Sequence, residues 1–299
     1  MSATATAPLA AHARSVAGAA AHQAGVEVAD LHEIGEMTEV AELFIEVWRT
    51  SRTAAPCTPS LLRALAHNGA YVSGARARGR MVGASAGFLH PAGDALGLYS
   101  HITGVRDDAQ ARGVGFALKQ HQRAWALARD LPVVTWTFDP LVRRNAFFNL
   151  VKLGAEIVEY LPDFYGRMDD AINAGDESDR CLVSWRLASQ RAVDAGRGAD
   201  LEPNLGTLRR NGARILLERD AAGEPVTREA EPGARALLVQ VPGDIVAVRA
   251  ADPDLAVRWR RALRAVMGEA LGRGLAASAI TRSGWYVLEQ PGSGGRERR

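Results

Sequence analysis

The segment Gln110-Ala111-Arg112-Gly113-Val114-Gly115 has the form Gln-x-x-Gly-x-Gly. Glycines at 113 and 115 let the backbone come close to a bulky anion. A helix that starts here leaves its first N–H groups unpaired, with the positive end of its dipole behind them. Together these features make a pyrophosphate cradle. The spacing is not the dinucleotide fingerprint, because Gly-x-Gly-x-x-Gly is not met in that order, and no Gly-Lys-Ser/Thr follows to make a P-loop. Taken alone, the hexapeptide also fits a glycine-rich helix start with no ligand. Ser100 lacks the Gly-x-Ser-x-Gly pattern of a nucleophile elbow. Cys57 and Cys181 have neither motif partners nor zinc-ligand spacing, so both read as structural thiols and no metal is expected.

The elements that must position this loop follow from the hydrophobic pattern. Val40, Leu43, Phe44 and Val47 recur at three- and four-residue spacings, which predicts a helix over Glu36–Arg49. A second helix follows Thr58, with Pro59 in its first turn. Ala70–Arg76 and Arg80–Leu89 read as strands joined at Ala77-Arg78-Gly79, and Ala95–Val105 as a third strand leading into the loop. After the loop, Val114, Leu118, His121, Trp125 and Ala128 mark a long helix, while Lys119, Gln122 and Arg129 lie off that stripe. Pro132–Phe138 reads as a buried strand, Leu141–Leu153 as a helix closed by Gly154, and 155–161 and 181–187 as strands. A polar, acidic loop, 162–180, joins the last two. Residues 196–206 read as a linker. A smaller unit follows, with strands near 214–218, 235–241, 276–281 and 285–288 and a helix over 253–273. It repeats the strand–loop–helix–strand order without a second glycine-rich loop. An ancient duplication is one reading of that.

The chain of 299 residues suits two domains, and its 47% hydrophobic and 23% charged residues are ordinary for a globular protein. A net charge of +2 does not call for a nucleic-acid or membrane partner. Lysine occurs only at 119 and 152, so the basic residues are nearly all arginine. With the abundant alanine, this reads as the codon bias of a GC-rich bacterial genome, and arginine clusters are discounted accordingly. Residues 1–25 hold 11 alanines but no continuous apolar stretch. They read as a disordered or loosely helical tail of a cytoplasmic protein. Residues 292–299 read as a second disordered tail.

The order of elements around the loop resembles the GNAT superfamily of acyl-CoA-dependent N-acyltransferases. Gln110, Gly113 and Gly115 match its Gln/Arg-x-x-Gly-x-Gly/Ala signature, and Ala146…Lys152-Leu153-Gly154-Ala155 resembles its closing-helix motif. Thr137-Phe138-Asp139-Pro140-Leu141 with Asn145 also resembles a bacterial acetyltransferase subgroup. The likeness covers about 26–190. It implies an α/β (α+β) fold with a mixed sheet whose central parallel strands, 95–105 and 132–138, splay apart, within a catalytic domain of 26–195. Residues 207–291 would form a small C-terminal α/β unit, packed on the first domain or against a second subunit in a homodimer.

The resemblance also implies a site. Backbone groups of Ile102, Thr103, Gly104 and Val105 would pair with the pantetheine arm of acyl-CoA, acetyl-CoA by default. Gln110, Ala111, Arg112, Gly113, Val114 and Gly115 would hold its pyrophosphate, with Asn145 and Phe148 as further cofactor contacts. A backbone N–H near Thr103–Val105 would polarise the thioester carbonyl. The family's usual acid is a tyrosine in the closing helix, and that position is Leu150 here. Tyr165 is the replacement candidate, followed by Tyr99 and Tyr160. His101 is the candidate base, with Asp139 near the same gap; Asp139 equally reads as a helix cap. The acidic loop, with Asp163, Asp169, Asp170, Asp176, Glu177 and Asp179, is the candidate acceptor side, and Arg49 and Arg52 are candidates for an acceptor carboxylate. A solvated surface is the plainer reading of both sets, and of Arg258, Arg261, Arg264 and Arg273 on the 253–273 helix. The expected activity is acyl transfer to a small-molecule amine. Succinyl or another acyl donor, a protein amine as acceptor, and a catalytically weak CoA-binding module are the alternatives.

Overall fold

The computed structural model describes residues 3–166, 176–229 and 234–291. The tail expected at 292–299, and Asp169 and Asp170 of the acidic loop, lie outside the described residues. The chain forms two compact units. One holds residues up to Trp136 with Arg186–Gln190; the other holds Thr137 onward, including Gly175–Trp185 and everything from Arg191. The division differs from the expected boundary at 196–206, because strands on both sides of that segment share one sheet in the second unit.

The first unit opens with helix α1 (Ala3–Ala24). This replaces the expected tail. Ala10, Ala13, Ala17, Ala20 and Ala24 recur on one face and are all buried. Strand β1 (Glu27–Asp30) follows, then α2 (Ile34–Trp48) and α3 (Pro59–His67). The start of α2 is fixed by a capping box between Glu33 and Glu36. The Thr58 hydroxyl accepts from Leu61 N at 3.2 Å to cap α3. Strands β2 (Tyr71–Ala77) and β3 (Arg80–Ala92) form a hairpin across Arg78-Gly79, both at positive φ. Then come β4 (Ala95–Val105), α4 (Val114–Leu127) and β5 (Val133–Phe138).

Within this unit β1, β2, β3 and β4 pair antiparallel in that order, and β4 pairs parallel with β5. Alternation along the strands sends residues to two different cores. Val72, Ala84, Ala86 and Ile102 pack with α2 and α3. Ala75 and Val82 pack with Val114, Ala117 and Leu118 of α4, against which Ala20 and Ala24 of α1 are set. Covered by sheet and by α1, α4 is buried well beyond its predicted stripe, and Lys119, Gln120, Gln122 and Arg123 are buried with it.

The second unit contains α5 (Arg143–Phe147), a π-helical turn (Phe148–Lys152), β6 (Glu156–Leu161), β7 (Arg180–Arg186) and α6 (Gln190–Gly196). It continues with α7 (Leu205–Arg210), β8 (Arg214–Arg219), β9 (Pro225–Thr227), β10 (Leu237–Gln240), α8 (Ile245–Ala251), α9 (Pro253–Gly272), β11 (Ala276–Ile280) and β12 (Trp285–Glu289). Strand β6 pairs with β7 on one side and, at Ile157↔Ala277, with β11 on the other. Strands β11, β12 and β10 pair antiparallel, β10 runs parallel to β8, and β9 flanks β8. Trp259, Leu263, Met267 and Leu271 of α9 are core, as expected from their spacing. Among the described residues no helix is long and apolar enough to cross a membrane.

Candidate active site

The loop between β4 and α4 is anchored from several sides. The Arg106 guanidinium donates to Met81 O at 3.0 Å and pairs with Glu46. Asp108 pairs with Arg80 at 2.6 Å, and the Gln110 amide donates to Asp107 at 2.8 Å. Ala109 is buried in the core beneath. The chain then passes through Ala111 at φ 60° and Gly113 at φ 88°. Only glycine holds the latter without strain. Gly113 is the N-cap of α4 and offers no side-chain cap, so the first-turn N–H groups have no side-chain acceptor. Gly115 leaves them open, since the nearest atom to a Cβ there would be 3.9 Å away. The segment from Gln110 to Gly115 is thus a fixed backbone cradle of positive potential.

Strand β4 supplies the second feature. Its pairing with β3 runs Ala86↔Ile102 and then Phe88↔Tyr99, so Ser100 and His101 together face Gly87. This is a β-bulge, which bends and twists the strand. Gly87 is required opposite it, because a Cβ there would stand 2.6 Å from Tyr99 O. Towards β5, β4 pairs only at Leu98↔Val134 and Tyr99↔Thr135. Beyond the bulge, Ile102–Val105 pair with β3, and the strand leads directly into the cradle. Gly104 packs so closely under α2 that a Cβ would lie 2.8 Å from Trp48.

The bulge places His101 beside Phe88 and Tyr99, at ring separations of 6.0 and 6.4 Å. His101 keeps one side open to solvent, while burial against these rings lowers its pKa below the ordinary value. It is therefore neutral at pH 7 and able to accept a proton. Phe88 stacks on Tyr99 at 5.1 Å, and His90 approaches Thr135 at 3.0 Å. Phe88, Tyr99 and His101 thus form an aromatic surface at the bulge.

Other candidates are committed elsewhere. Asp139 accepts from Leu141 N at 2.9 Å and from both Arg260 amino groups at 3.2 and 2.8 Å, buried in the second unit. It is a cap and an ion-pair partner, so the role of base gives way to a structural one. Tyr165 also lies in the second unit, its hydroxyl 3.2 Å from that of Thr137 and its ring under Arg180; His101 and Tyr165 thus belong to different units. Tyr160 donates to Asp179 at 2.6 Å and is buried, which removes it as a donor to substrate. Tyr99 remains at the bulge. Asn145 is exposed and Phe148 half-buried on the helical segment 143–152, and Leu150 is fully buried.

The described acidic residues of the 162–180 loop are engaged within the second unit. Asp163 accepts from Ser178 N, Asp176 pairs with Arg260 and Arg249, and Asp179 and Glu177 pair with Arg264. Burial alone would raise the Asp176 and Asp179 carboxyls; their arginine partners more than reverse this and hold both below the usual carboxylate range. Arg264 is accordingly not a solvated residue. Arg49 and Arg52 form exposed pairs with Asp107 at 3.3 Å and Glu42 at 2.5 Å. The sequence carried no signal for Arg260, because its partners lie about a hundred residues away.

No protein-family model matches the chain, and no curated protein matches it. Solved acetyltransferases are among the structures similar to it. The acetyltransferase of the GNAT family from Streptococcus pneumoniae is 11% identical, over 53% of this chain and 97% of that one, with a TM-score of 0.43. Chaetomium thermophilum Naa20, in complex with a bisubstrate analogue, is 16% identical over 56% and 90%, with a TM-score of 0.44. Aminoglycoside 6'-acetyltransferase type Ii is 14% identical over 55% and 99%, with a TM-score of 0.43.

Proposed function

We propose that this chain is an N-acyltransferase of the GNAT type, which moves an acyl group from acyl-CoA to the amine of a small molecule. The observation that carries this reading is the continuity of two features. Strand β4 leaves β5 after two pairs, with Ile102–Val105 continuing past the gap, and it delivers the chain into an uncapped helix start at Gly113. A pantetheine arm can add to the open edge of β4 as a strand would. The pyrophosphate then falls at the N–H groups of Arg112–Gly115. Acyl-CoA supplies the activated thioester. Backbone N–H groups along the bulged strand orient its carbonyl. Neutral His101 takes the proton that the acceptor nitrogen loses as it attacks. The stacked rings of Phe88 and Tyr99 favour an acceptor with an apolar or aromatic body.

Calorimetry with CoA tests the cradle. The chain should bind one CoA, and Gly113→Glu should abolish binding by filling the cradle and setting a like charge beside the phosphates. Unchanged affinity would sink the assignment. Thiol release from an acyl-CoA panel with mixed amines tests the reaction. Tight CoA binding with no release for any amine would instead mark a CoA-binding module, the reading that Leu150 favours.

A further inference from the structure

The buried core of the first unit contains a lysine. Lys119, on α4, is 5% exposed. Its ammonium donates to Ser100 Oγ at 2.8 Å and to Gln122 Oε1 at 3.1 Å, and lies 4.0 Å from the centre of the Trp136 ring. The groups facing it are Ser100 from β4, Trp136 from β5, and Gln122 of its own helix, which leans on Ser85 of β3 at 3.5 Å. One turn along α4, Arg123 is held by Leu187 O at 2.8 Å. None of these groups is a carboxylate. Among the described residues the ammonium has hydrogen-bond and ring partners but no counter-ion, a costly burial that an apolar side chain of the same length would avoid. Desolvation lowers the Lys119 pKa to about 7.

The position of the ammonium is informative. Ser100 is a residue of the β4 bulge, and Trp136 directly follows Thr135, which makes the last β4–β5 pair. Lys119 therefore bridges the two strands where they part. The bulge turns its two residues to different surroundings: Ser100 meets α4, whereas His101 meets Phe88 and Tyr99.

We propose that Ser100 and Lys119 deliver the proton to the departing thiol, the task for which Leu150 has no atom. The inference rests on the acyl-transfer reading above. As the acceptor nitrogen bonds to the acyl carbon, the carbon–sulfur bond breaks and its electron pair stays on sulfur. Ser100 gives its hydroxyl proton to sulfur and takes one from the Lys119 ammonium, to which it is already hydrogen-bonded. The acceptor nitrogen loses its proton to His101, and through solvent a proton returns to Lys119. The net transfer is from amine to thiol. Ser100 is then the catalytic donor and Lys119 the residue that positions and resupplies its proton.

With only two lysines in the chain, side-chain nitrogen NMR resolves Lys119, and Lys152→Arg assigns it. Lys119 should titrate near neutrality, and its midpoint should move when CoA is added. Lys119→Met and Ser100→Ala should each lower kcat by about 10²–10⁴-fold with CoA affinity unchanged. In Lys119→Met the fall in rate above neutral pH should vanish, a change that a merely structural role would not produce. Wild-type kcat and pH profile in both variants, or a Lys119 midpoint unmoved by bound CoA, would overturn the proposal while leaving the acyltransferase reading intact. Failure of the unaltered chain to bind CoA would overturn both.

Discussion

Arg260 is almost fully buried between Asp139 and Asp176, and its neighbours Arg249 and Arg264 complete a set of ion pairs reaching Glu177 and Asp179. Removing one member of such a set leaves uncompensated buried charge. Arg260→Met should therefore cost about 3–5 kcal/mol in urea unfolding. The depressed Asp176 and Asp179 carboxyls stabilise the fold above their unfolded pKa of about 4, and that contribution disappears as pH falls through the folded values. The wild type should lose stability steeply below pH 4, and the variant less so. Lys119 gives the opposite sign. Its folded pKa of about 7 lies below the ordinary 10.5, so the unfolded chain binds the extra proton between those values and stability rises with pH there. Lys119→Met should stabilise the fold by about 3–5 kcal/mol at pH 6, a gain that fades towards pH 10.5. Equal gains at pH 6 and pH 10 would show that the ammonium is not buried.

Helix α1 is the element on which sequence and structure differ most. An alanine-rich segment without large apolar residues reads as a tail, because periodicity is sought in leucine and valine. Here alanines at 10, 13, 17, 20 and 24 form the buried stripe instead. Their small size lets α1 lie closely on α4, whose facing residues include Ala117 and, 3.7 Å from Ala24, the position a Gly113 side chain would take. Ala13 is fully buried, so Ala13→Leu should overpack this contact and cost about 1–3 kcal/mol, measured by thermal unfolding. A disordered tail would not register the change. Elsewhere the elements were legible wherever local chemistry sets them. Thr58 with Pro59 starts α3, Arg78-Gly79 closes the hairpin, and β4 has its predicted limits. The glycine turn into α4 was legible for the same reason, since glycines and a helix start are local. The bulge at Ser100 and His101 was not, because an extra residue in one strand shows only against its partner. The buried Lys119 was not either, because burial on that face of α4 depends on what the sheet presents to it.

At the scale of the whole molecule, residues 196–206 look like a linker by composition, yet the chain on either side of them folds as one unit. Strand β6 pairs with β11, Tyr286 donates to Pro140 O at 2.7 Å, and the Arg191 guanidinium bonds both Leu150 O at 3.3 Å and Ser278 O at 2.7 Å. Above all, the carboxylates of Asp139, Asp176 and Asp179 come from one side of the segment, and the guanidiniums of Arg249, Arg260 and Arg264 from the other. A fragment ending at residue 195 would keep the β4–α4 cradle complete in sequence. It would also leave three carboxylates facing a stripped apolar surface, without the cations that hold them ionised, and an unpaired edge on β6. A freshly exposed apolar surface and an exposed strand edge both favour aggregation over folding. The fragment should therefore be recovered insoluble, or soluble but without the cooperative unfolding of the full chain, as judged by circular dichroism and sedimentation. Co-expression with residues 196–299 as a separate chain should restore solubility, since the ion pairs need the two segments together and not their peptide link. A soluble 1–195 fragment that unfolds cooperatively and binds CoA would show the opposite: that residues 196–299 are an appendage to a domain complete without them.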